Sequence, residues 1–356
     1  MPHAFVNRIA TALPPNEVHR YFLGFANSQL DGDPGRQAVF NRLADRSGIE
    51  RRYSCIRPSE DPRGASVDVE GVFRRGAFPG TAQRMQMFER DAPDLAVEAV
   101  EKLDLGDRAG SITHLVVTTC TGFSAPGIDL EIVARCGLDP SVERTIIGFM
   151  GCYAAINGLK LAHHIVRSTP DARVLLVNIE LCTLHLKETT DLEKLLSFCL
   201  WGDGCAASLI SAEPGGLRLD RFKAMLAADS RDLMSWSVRD DGFDMVLSGR
   251  VPAAIQRSLG TDPGAFLDGR PVDEISLWAV HPGGRTVLDA VERALALPAD
   301  ALRHSREVLR NVGNMSSATV MFVLRKMLDM PAGLPGCAMA FGPGLTAETM
   351  LFETAG

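Results

Sequence analysis

Residues 145–166 read TIIGFMGCYAAINGLKLAHHIV, and this stretch predicts the element around which the fold is built. A short apolar β-type run, Thr145 to Phe149, leads into a Met-Gly pair and then Cys152. The residues that follow have the apolar spacing of a helix, with one stripe formed by Ala155, Leu159, Ala162 and Val166. The sequence therefore predicts a cysteine at a strand-to-helix turn.

A cysteine at this turn has two interpretations. The first N–H groups of a helix have no internal partners, and the helix dipole there favours negative charge. The Cys152 thiol is therefore expected to ionise more easily than a free thiol, beside small residues that leave room for a carbonyl group. The second interpretation is a buried structural cysteine, since the chain has eight cysteines.

Composition limits the class of protein. The 356 residues are 46% hydrophobic, which suffices for two domains or one large duplicated one. The formal charge of −7 includes no block of like charges, so no nucleic-acid partner is indicated. Scattered cysteines without a CxxC pair argue against a metal site or a disulfide framework and favour a reducing compartment. Without a signal sequence or a membrane-length apolar run, we expect a soluble cytoplasmic protein.

Strand and helix patterns alternate along the chain. Buried strands are predicted at HLVVTT (114–119), ARVLLV (172–177) and ISLWAV (275–280), each with helical patterns nearby. From about Gly216 the second half repeats the strand–turn–helix order of the first. This order predicts a duplicated α/β fold with mostly parallel strand pairing.

Two further polar residues occupy predicted strand-to-helix turns, His281 and Asn314. Each alone is compatible with an ordinary turn or cap residue. Together with Cys152 they form a coherent set, in which a cysteine nucleophile is held as thiolate by histidine, and histidine and asparagine donate hydrogen bonds to an oxyanion. Arg42 and Arg46, at i, i+4 spacing on an early helix, form either a solvated face or a phosphate clamp.

The chain resembles the type III polyketide synthases, the chalcone synthase family, from about residue 5 to its C-terminus. The matching motifs are GCYAAINGLKLA (151–162), WAVHPGGRTVLDAVE (278–292), REVLRNVGNMSSATVMFVL (306–324) and FGPGLTAET (341–349), with LWGDGCAA (200–207) and TTCTGFSAPGID (118–129). The resemblance implies a thiolase-like αβαβα layered sandwich of two similar halves, residues 1–212 with the cysteine and 213–356 with the histidine and asparagine. It also implies a homodimer, a Cys152–His281–Asn314 triad, and acyl-CoA and malonyl-CoA as substrates without a metal or other cofactor.

The resemblance assigns further site residues. Arg42 and Arg46 match positions that contact the CoA phosphates, whereas a third basic position of the plant enzymes is Val39 here. Trp201 and Met245 replace two gatekeeping phenylalanines, and Ala125 replaces a methionine that reaches into the partner subunit's cavity. The other implied cavity positions are Cys120, Thr121, Cys182, His185, Ser316 and Phe341.

The cavity replacements predict the starter. A small Ala125 and a flexible Met245 favour an unbranched chain over a flat ring, so we expect an aliphatic acyl-CoA and an alkylpyrone- or alkylresorcinol-type product. An aromatic or malonyl starter is the second possibility. Three different protein classes could also carry these residues: a ketoacyl synthase III-type enzyme, a papain-like cysteine hydrolase and a catalytically silent dimerisation partner. The intact triad argues against the silent partner.

Overall fold

The computed structural model describes residues 2–356. The strands are β1 (Ala4–Ala12), β2 (Asn16–Glu17), β3 (Tyr53–Ser54), β4 (His114–Thr119), β5 (Glu143–Gly148), β6 (Val174–Leu181), β7 (Asp203–Ser211), β8 (Leu217–Leu226), β9 (Met234–Arg239), β10 (Gly242–Leu247), β11 (Leu277–Val280), β12 (Pro335–Gly342) and β13 (Thr346–Thr354). The helices are α1 (His19–Ser28), α2 (Pro34–Asp45), α3 (Thr81–Glu101), α4 (Ile128–Arg135), α5 (Ala154–Ser168), α6 (Leu192–Phe198), α7 (Val251–Thr261), α8 (Pro263–Phe266), α9 (Arg285–Ala294), α10 (Arg303–Val312) and α11 (Ala318–Arg325).

Nine strands form one hydrogen-bonded sheet in the order β11-β12-β13-β8-β1-β7-β6-β4-β5. The halves meet where β1 pairs with β7 on one side and with β8 on the other. Parallel pairing occurs between β4 and β5, β4 and β6, and β11 and β12. The other pairs of this sheet are antiparallel, so the prediction of mostly parallel pairing is wrong. The reason is local for β12 and β13, because the short turn Pro343–Leu345 can only join antiparallel neighbours.

Alternating side chains divide the core into layers. On β6, Leu176 belongs to the cluster that contains α5 and α11, whereas Val177 belongs to the cluster under α3. On β11, Ala279 and Val280 divide in the same way between the α5–α11 cluster and the cluster under α7 and α9. Because successive strand residues face opposite sides, α5 and α11 form a central layer between the two halves, with helices on both outer faces. The thiolase-like αβαβα fold is confirmed.

The central stretch folds as predicted, with one difference. Helix α5 contains the whole apolar stripe, and its four predicted residues are fully buried. The strand before it, β5, lies at the edge of the sheet and is largely exposed. Its Ile146 side chain is 46% exposed. The hairpin of β9 and β10, which the sequence patterns did not predict, forms a separate two-stranded ladder.

Candidate active site

Cys152 lies at the turn between β5 and α5, as predicted. The backbone reverses there, with φ of 58° at Phe149 and 71° at Gly151. A Cβ atom on Gly151 would lie 2.5 Å from Cδ of Pro343, so this turn requires glycine. Cys152 sits in a 3-10 turn, Gly151–Tyr153, that leads directly into α5. The turn therefore holds the thiol at the N-terminal end of the central helix.

His281 directly follows β11. Its backbone N–H donates to the carbonyl of Met339 at 2.7 Å, which extends the pairing with β12 and fixes the side-chain position. The imidazole is buried, and neither ring nitrogen has a hydrogen-bond partner within residues 2–356. Since buried polar atoms are usually paired, these two nitrogens are candidates to bond a molecule that binds in the site.

Asn314 is held at both ends of its amide. The backbone of Asn314 pairs with Leu200 and Gly202 at 2.9 Å in each case, beside Trp201. Its Oδ1 accepts a hydrogen bond from the backbone N–H of Ser316 at 2.9 Å. Its Nδ2 donates to the carbonyl of Gly283 at 3.2 Å. The NH2 group is therefore directed toward the turn that follows His281.

The three side chains line one buried cavity of about 40 Å³. The other lining residues are Cys120, Gly151, Cys182, Trp201, Met234, Ser235, Trp236, Met245, Leu247, Gly283, Val287, Ser316, Phe341 and Pro343. The structure thus brings together the three residues whose convergence the sequence spacing left open. The cavity is much smaller than the roughly 300–1,000 Å³ usual for ligand sites, because two tryptophan side chains, Trp201 and Trp236, occupy its walls.

Burial controls the protonation of the site. It raises the pKa of the Cys152 thiol to about 12, although hydrogen bonds from Ser316 and Asn314 act in the opposite direction. The prediction of an easily ionised thiol is therefore wrong for this conformation, because desolvation outweighs the helix terminus. Burial also lowers the pKa of His281 to about 3. Both groups are therefore in their neutral forms at neutral pH.

Most of the predicted cavity residues line the cavity, namely Cys120, Cys182, Trp201, Met245, Ser316 and Phe341. Burial, followed by the charge of Glu180, raises the pKa of Cys120 and Cys182 well above the usual thiol range. Both cysteines are therefore uncharged wall residues at neutral pH.

Thr121 and His185 do not line the cavity, although both were predicted as substrate-binding residues. The Thr121 hydroxyl donates to Oε2 of Glu180 at 2.9 Å and accepts from the backbone N–H of Leu181 at 2.9 Å. His185 is bonded through Nε2 to the carbonyl of Thr121 at 2.8 Å and through Nδ1 to the N–H of Phe243 at 3.1 Å. Their polar atoms are already satisfied inside the protein, so both side chains support the structure around the cavity.

The remaining predicted site residues are on the surface. Ala125 lies in the exposed loop between β4 and α4. Arg42 on α2 and Arg46 at its C-terminal end are exposed as well. The carbonyl of Arg46 accepts a hydrogen bond from Nη1 of Arg285 at 3.3 Å. Because Arg285 begins α9, whose Val287 lines the cavity, Arg46 lies on the outer side of one cavity wall.

Sequence reasoning missed the β9–β10 wall and the carboxylate behind it. Trp236 pairs with Met245 across the hairpin, and its Nε1 donates to the carbonyl of Cys120 at 2.9 Å. Glu180 is fully buried and accepts hydrogen bonds from Ser317 at 2.6 Å and from the backbone N–H of Cys120 at 3.0 Å. The alternation in MSWSVR and GFDMVL was an available signal for the hairpin. A glutamate at the end of an apolar strand gives no such signal.

Metal-binding clusters and membrane-spanning helices are both absent from the described chain, residues 2–356. These residues contain no group of three or more His, Cys, Asp or Glu side chains arranged to hold a metal ion. Their helices include none with the length and apolar character required to cross a bilayer.

Comparisons with known proteins agree over nearly the whole chain. The chain is 35% identical to the "Alpha-pyrone synthesis polyketide synthase-like Pks18" of Mycobacterium tuberculosis, over 98% of this chain and 91% of that protein. It is 34% identical to the bisdemethoxycurcumin synthase of Oryza sativa, over 98% and 92% of the two chains. Among solved structures, PKS-I of the brown alga Ectocarpus siliculosus superposes with a TM-score of 0.86 at 27% identity, covering 99% of both chains. The type III domain of Steely1 from Dictyostelium has the same fold, with a TM-score of 0.87 at 23% identity, covering 99% of this chain and 100% of that one.

The family profiles divide the chain between them. The N-terminal domain of chalcone and stilbene synthases matches residues 3–214. The C-terminal domain of the same family matches residues 223–355. With the near full-length relatives, these matches show that the chain belongs to the chalcone and stilbene synthase family of type III polyketide synthases.

Proposed function

We propose that the chain is an acyltransferase that loads an acyl-CoA starter on Cys152 and extends it with malonyl-CoA. Members of this family use CoA thioesters as substrates and need no additional cofactor. The observation that carries the proposal is the enclosure of Cys152, His281 and Asn314 in one cavity, with both imidazole nitrogens unpaired by the described residues.

The proposed chemistry uses the three cavity residues in turn. His281 takes the thiol proton as the Cys152 sulfur attacks the starter thioester, and CoA leaves as its thiol. Malonyl-CoA then binds with its thioester oxygen toward His281 and Asn314, and loss of CO2 gives an enolate that these donors stabilise. The enolate carbon attacks the Cys152 thioester, which forms the new carbon–carbon bond and releases the cysteine. Repeated rounds give a poly-β-keto chain that cyclises in the cavity.

For the starter we propose an aliphatic acyl-CoA and an α-pyrone- or alkylresorcinol-type product. The apolar cavity lining and the flexible Met245 side chain support an aliphatic group, and the name of the mycobacterial relative describes α-pyrone synthesis. The cavity volume of about 40 Å³ favours a second candidate, a short or malonyl starter. Mass spectrometry of the products from acetyl-, malonyl-, coumaroyl- and fatty acyl-CoA, each with malonyl-CoA, tests the proposal. Hydrolysis without extension, or extension only from a malonyl carrier protein, would contradict it.

We also propose that the CoA phosphates bind at Arg42 and Arg46. The contact between Arg46 and Arg285, on the outer side of the cavity wall, supports entry of CoA substrates from this side, and Arg42 lies one helical turn before Arg46. The Arg46→Ala variant is expected to raise KM for both CoA substrates with kcat unchanged, since it removes binding common to ground and transition states. A fall in kcat alone would contradict this role.

We also propose that the chain forms a homodimer and that its two halves divide between residues 212 and 213. Exposed apolar side chains cluster at the β5 edge: Phe123 is 45% exposed, Leu130 41% and Ile146 46%. An unpaired edge with such a patch usually has a partner. The Ile146→Arg variant should lower the molar mass measured by light scattering, whereas Val238→Arg, at an exposed valine on β9, should not. The free state of all eight cysteines supports a cytoplasmic location.

A further inference from the structure

A second, larger hollow lies directly behind one wall of the catalytic cavity. It is a groove of about 460 Å³ that opens to the surface beside α7 and α8. Phe341 lines both the catalytic cavity and the groove. Phe341 is 5% exposed and is the lining residue that the two spaces share.

The floor of the groove is a continuous apolar row across three strands. Phe341 on β12 is the register partner of Ala347 on β13, and Ala347 is the partner of Met225 on β8. Directly opposed residues on neighbouring strands point to the same face. Ile255 of α7 and Phe266 of α8 cover this row. The row starts at Phe341 and leads away from the catalytic cavity.

The rim of the groove differs from its floor. The polar lining residues are Asp229, Arg257, Ser258, Thr261 and Asp262. Such a groove has an apolar interior that begins at the reaction site and a solvated outer mouth. An unbranched hydrocarbon chain attached at the reaction site fits this distribution, because its methylenes would leave water along the floor.

We propose that this groove is the binding site for the aliphatic tail of the acyl starter, with Phe341 as the gate between the groove and Cys152. The inference rests on the proposed function. Binding of the tail in the groove explains how an enzyme with a catalytic cavity of about 40 Å³ accepts a starter much larger than that cavity. When the Phe341 side chain turns aside, the acyl group attached to Cys152 extends along the row toward Met225. The chain length that fits is then set by the groove and not by the cavity.

Two variants on one helix test the site. Ser258 lines the groove, whereas Ala253 is an exposed residue of the same helix that does not line it. Acylation of Cys152 is followed by intact-protein mass spectrometry, with starters from acetyl- to palmitoyl-CoA and no malonyl-CoA. In the unmodified protein the loading rate constant should rise about fourfold per methylene until the groove is full. Ser258→Phe should lower the loading rate of the long starters roughly tenfold, which corresponds to about two fewer buried methylenes. It should leave the loading rate of acetyl-CoA unchanged. Ala253→Phe should change the loading rate of neither the long starters nor acetyl-CoA.

A second test removes the Phe341 side chain, the proposed gate. Phe341→Ala should raise loading of the long starters relative to acetyl, and the double variant Phe341→Ala/Ser258→Phe should lose that gain. Equal chain-length profiles for the unmodified protein, Ser258→Phe and Ala253→Phe would overturn the groove site while leaving acetyl loading and the proposed function intact. If the unmodified, folded protein loads no acyl group from any starter, the proposed function itself would be overturned.

Discussion

Asn314 donates a hydrogen bond through Nδ2 to the carbonyl of Gly283, two residues after His281, at 3.2 Å. This bond links Asn314 to the turn that follows His281, so the two C-terminal residues of the proposed triad are held by one contact between different elements. The Asn314 amide is thus oriented before any substrate binds, so no reorganisation is required when charge develops on a substrate oxygen.

Replacement of the nucleophile should separate chemistry from folding. We expect Cys152→Ala to abolish starter loading and to leave the melting temperature nearly unchanged, because the side chain is small and lines a cavity. Peptide mapping after incubation with a starter CoA should find the acyl group on Cys152 and on none of Cys120, Cys182, Cys199 and Cys205. Cys136→Ala, at a half-buried cysteine that does not line the cavity, is the control and should load normally. An acyl group found on another cysteine would overturn the assignment.

The two partners of the cysteine should differ in their effects. Asn314→Ala removes one oxyanion donor, so malonyl-CoA decarboxylation should fall by about 10²–10³ while starter loading is better preserved. His281→Ala should damage both steps, since it removes the imidazole that we propose takes the thiol proton and also stabilises the enolate. Release of ¹⁴CO2 and acylation of Cys152 measure the two steps separately. Equal losses of loading in the two variants would contradict this division of roles.

The thiol should titrate as a buried, neutral group. Because burial raises the pKa of Cys152 to about 12, the thiolate fraction is small at neutral pH and grows with pH. Alkylation of Cys152 by iodoacetamide should therefore accelerate about tenfold per pH unit through the neutral and mildly alkaline range. The His281 pKa of about 3 predicts no inflection near the usual imidazole value. A rate that is independent of pH in this range would indicate a resting thiolate–imidazolium pair and contradict the prediction.

Trp236 should limit the size of the product. Trp236→Ala removes one of the two indoles that fill the cavity, so we expect longer starters or additional extension rounds. Trp236→Phe keeps most of the ring but removes the hydrogen bond to Cys120, which separates the effect of volume from that of the bond. Product masses from a fixed starter measure the outcome. An unchanged product set in Trp236→Ala would show that this wall does not limit chain length.

The sequence predicted those parts of the fold that are set by local periodicity. The stripe on α5 and the buried strand β4 appear with nearly the predicted bounds, because both patterns are strong and continuous. Pairing direction depends on which strands become neighbours, and local patterns do not contain this information. The hairpin that carries Trp236 was missed although β9 and β10 alternate apolar and polar residues, because this pattern is less conspicuous than the continuous apolar runs of the buried strands.

The site shows the same limit. Cys152, His281 and Asn314 were found because their residue types and turns suggest chemistry on their own. Thr121 and His185 were predicted to bind substrate, but a sequence position does not reveal that their polar side chains already have hydrogen-bond partners inside the protein. The high thiol pKa was missed for a related reason, since the degree of burial depends on the surrounding wall as a whole.

The backbone of the turns that carry the candidate site residues has a consequence for engineering by directed evolution. Gly151, Gly313 and Ser316 all have positive φ, at 71°, 71° and 46°. In a random library at these positions, most variants would differ in activity because their side chains tolerate the left-handed backbone region to different degrees. The effect of each side chain on cavity shape would contribute little. Ser316→Gly is the more informative probe of that hydroxyl, because glycine keeps the conformation accessible while Ser316→Val does not. Diversity is better placed at Trp201, Trp236 and Met245, which lie on ordinary backbone and face the same cavity.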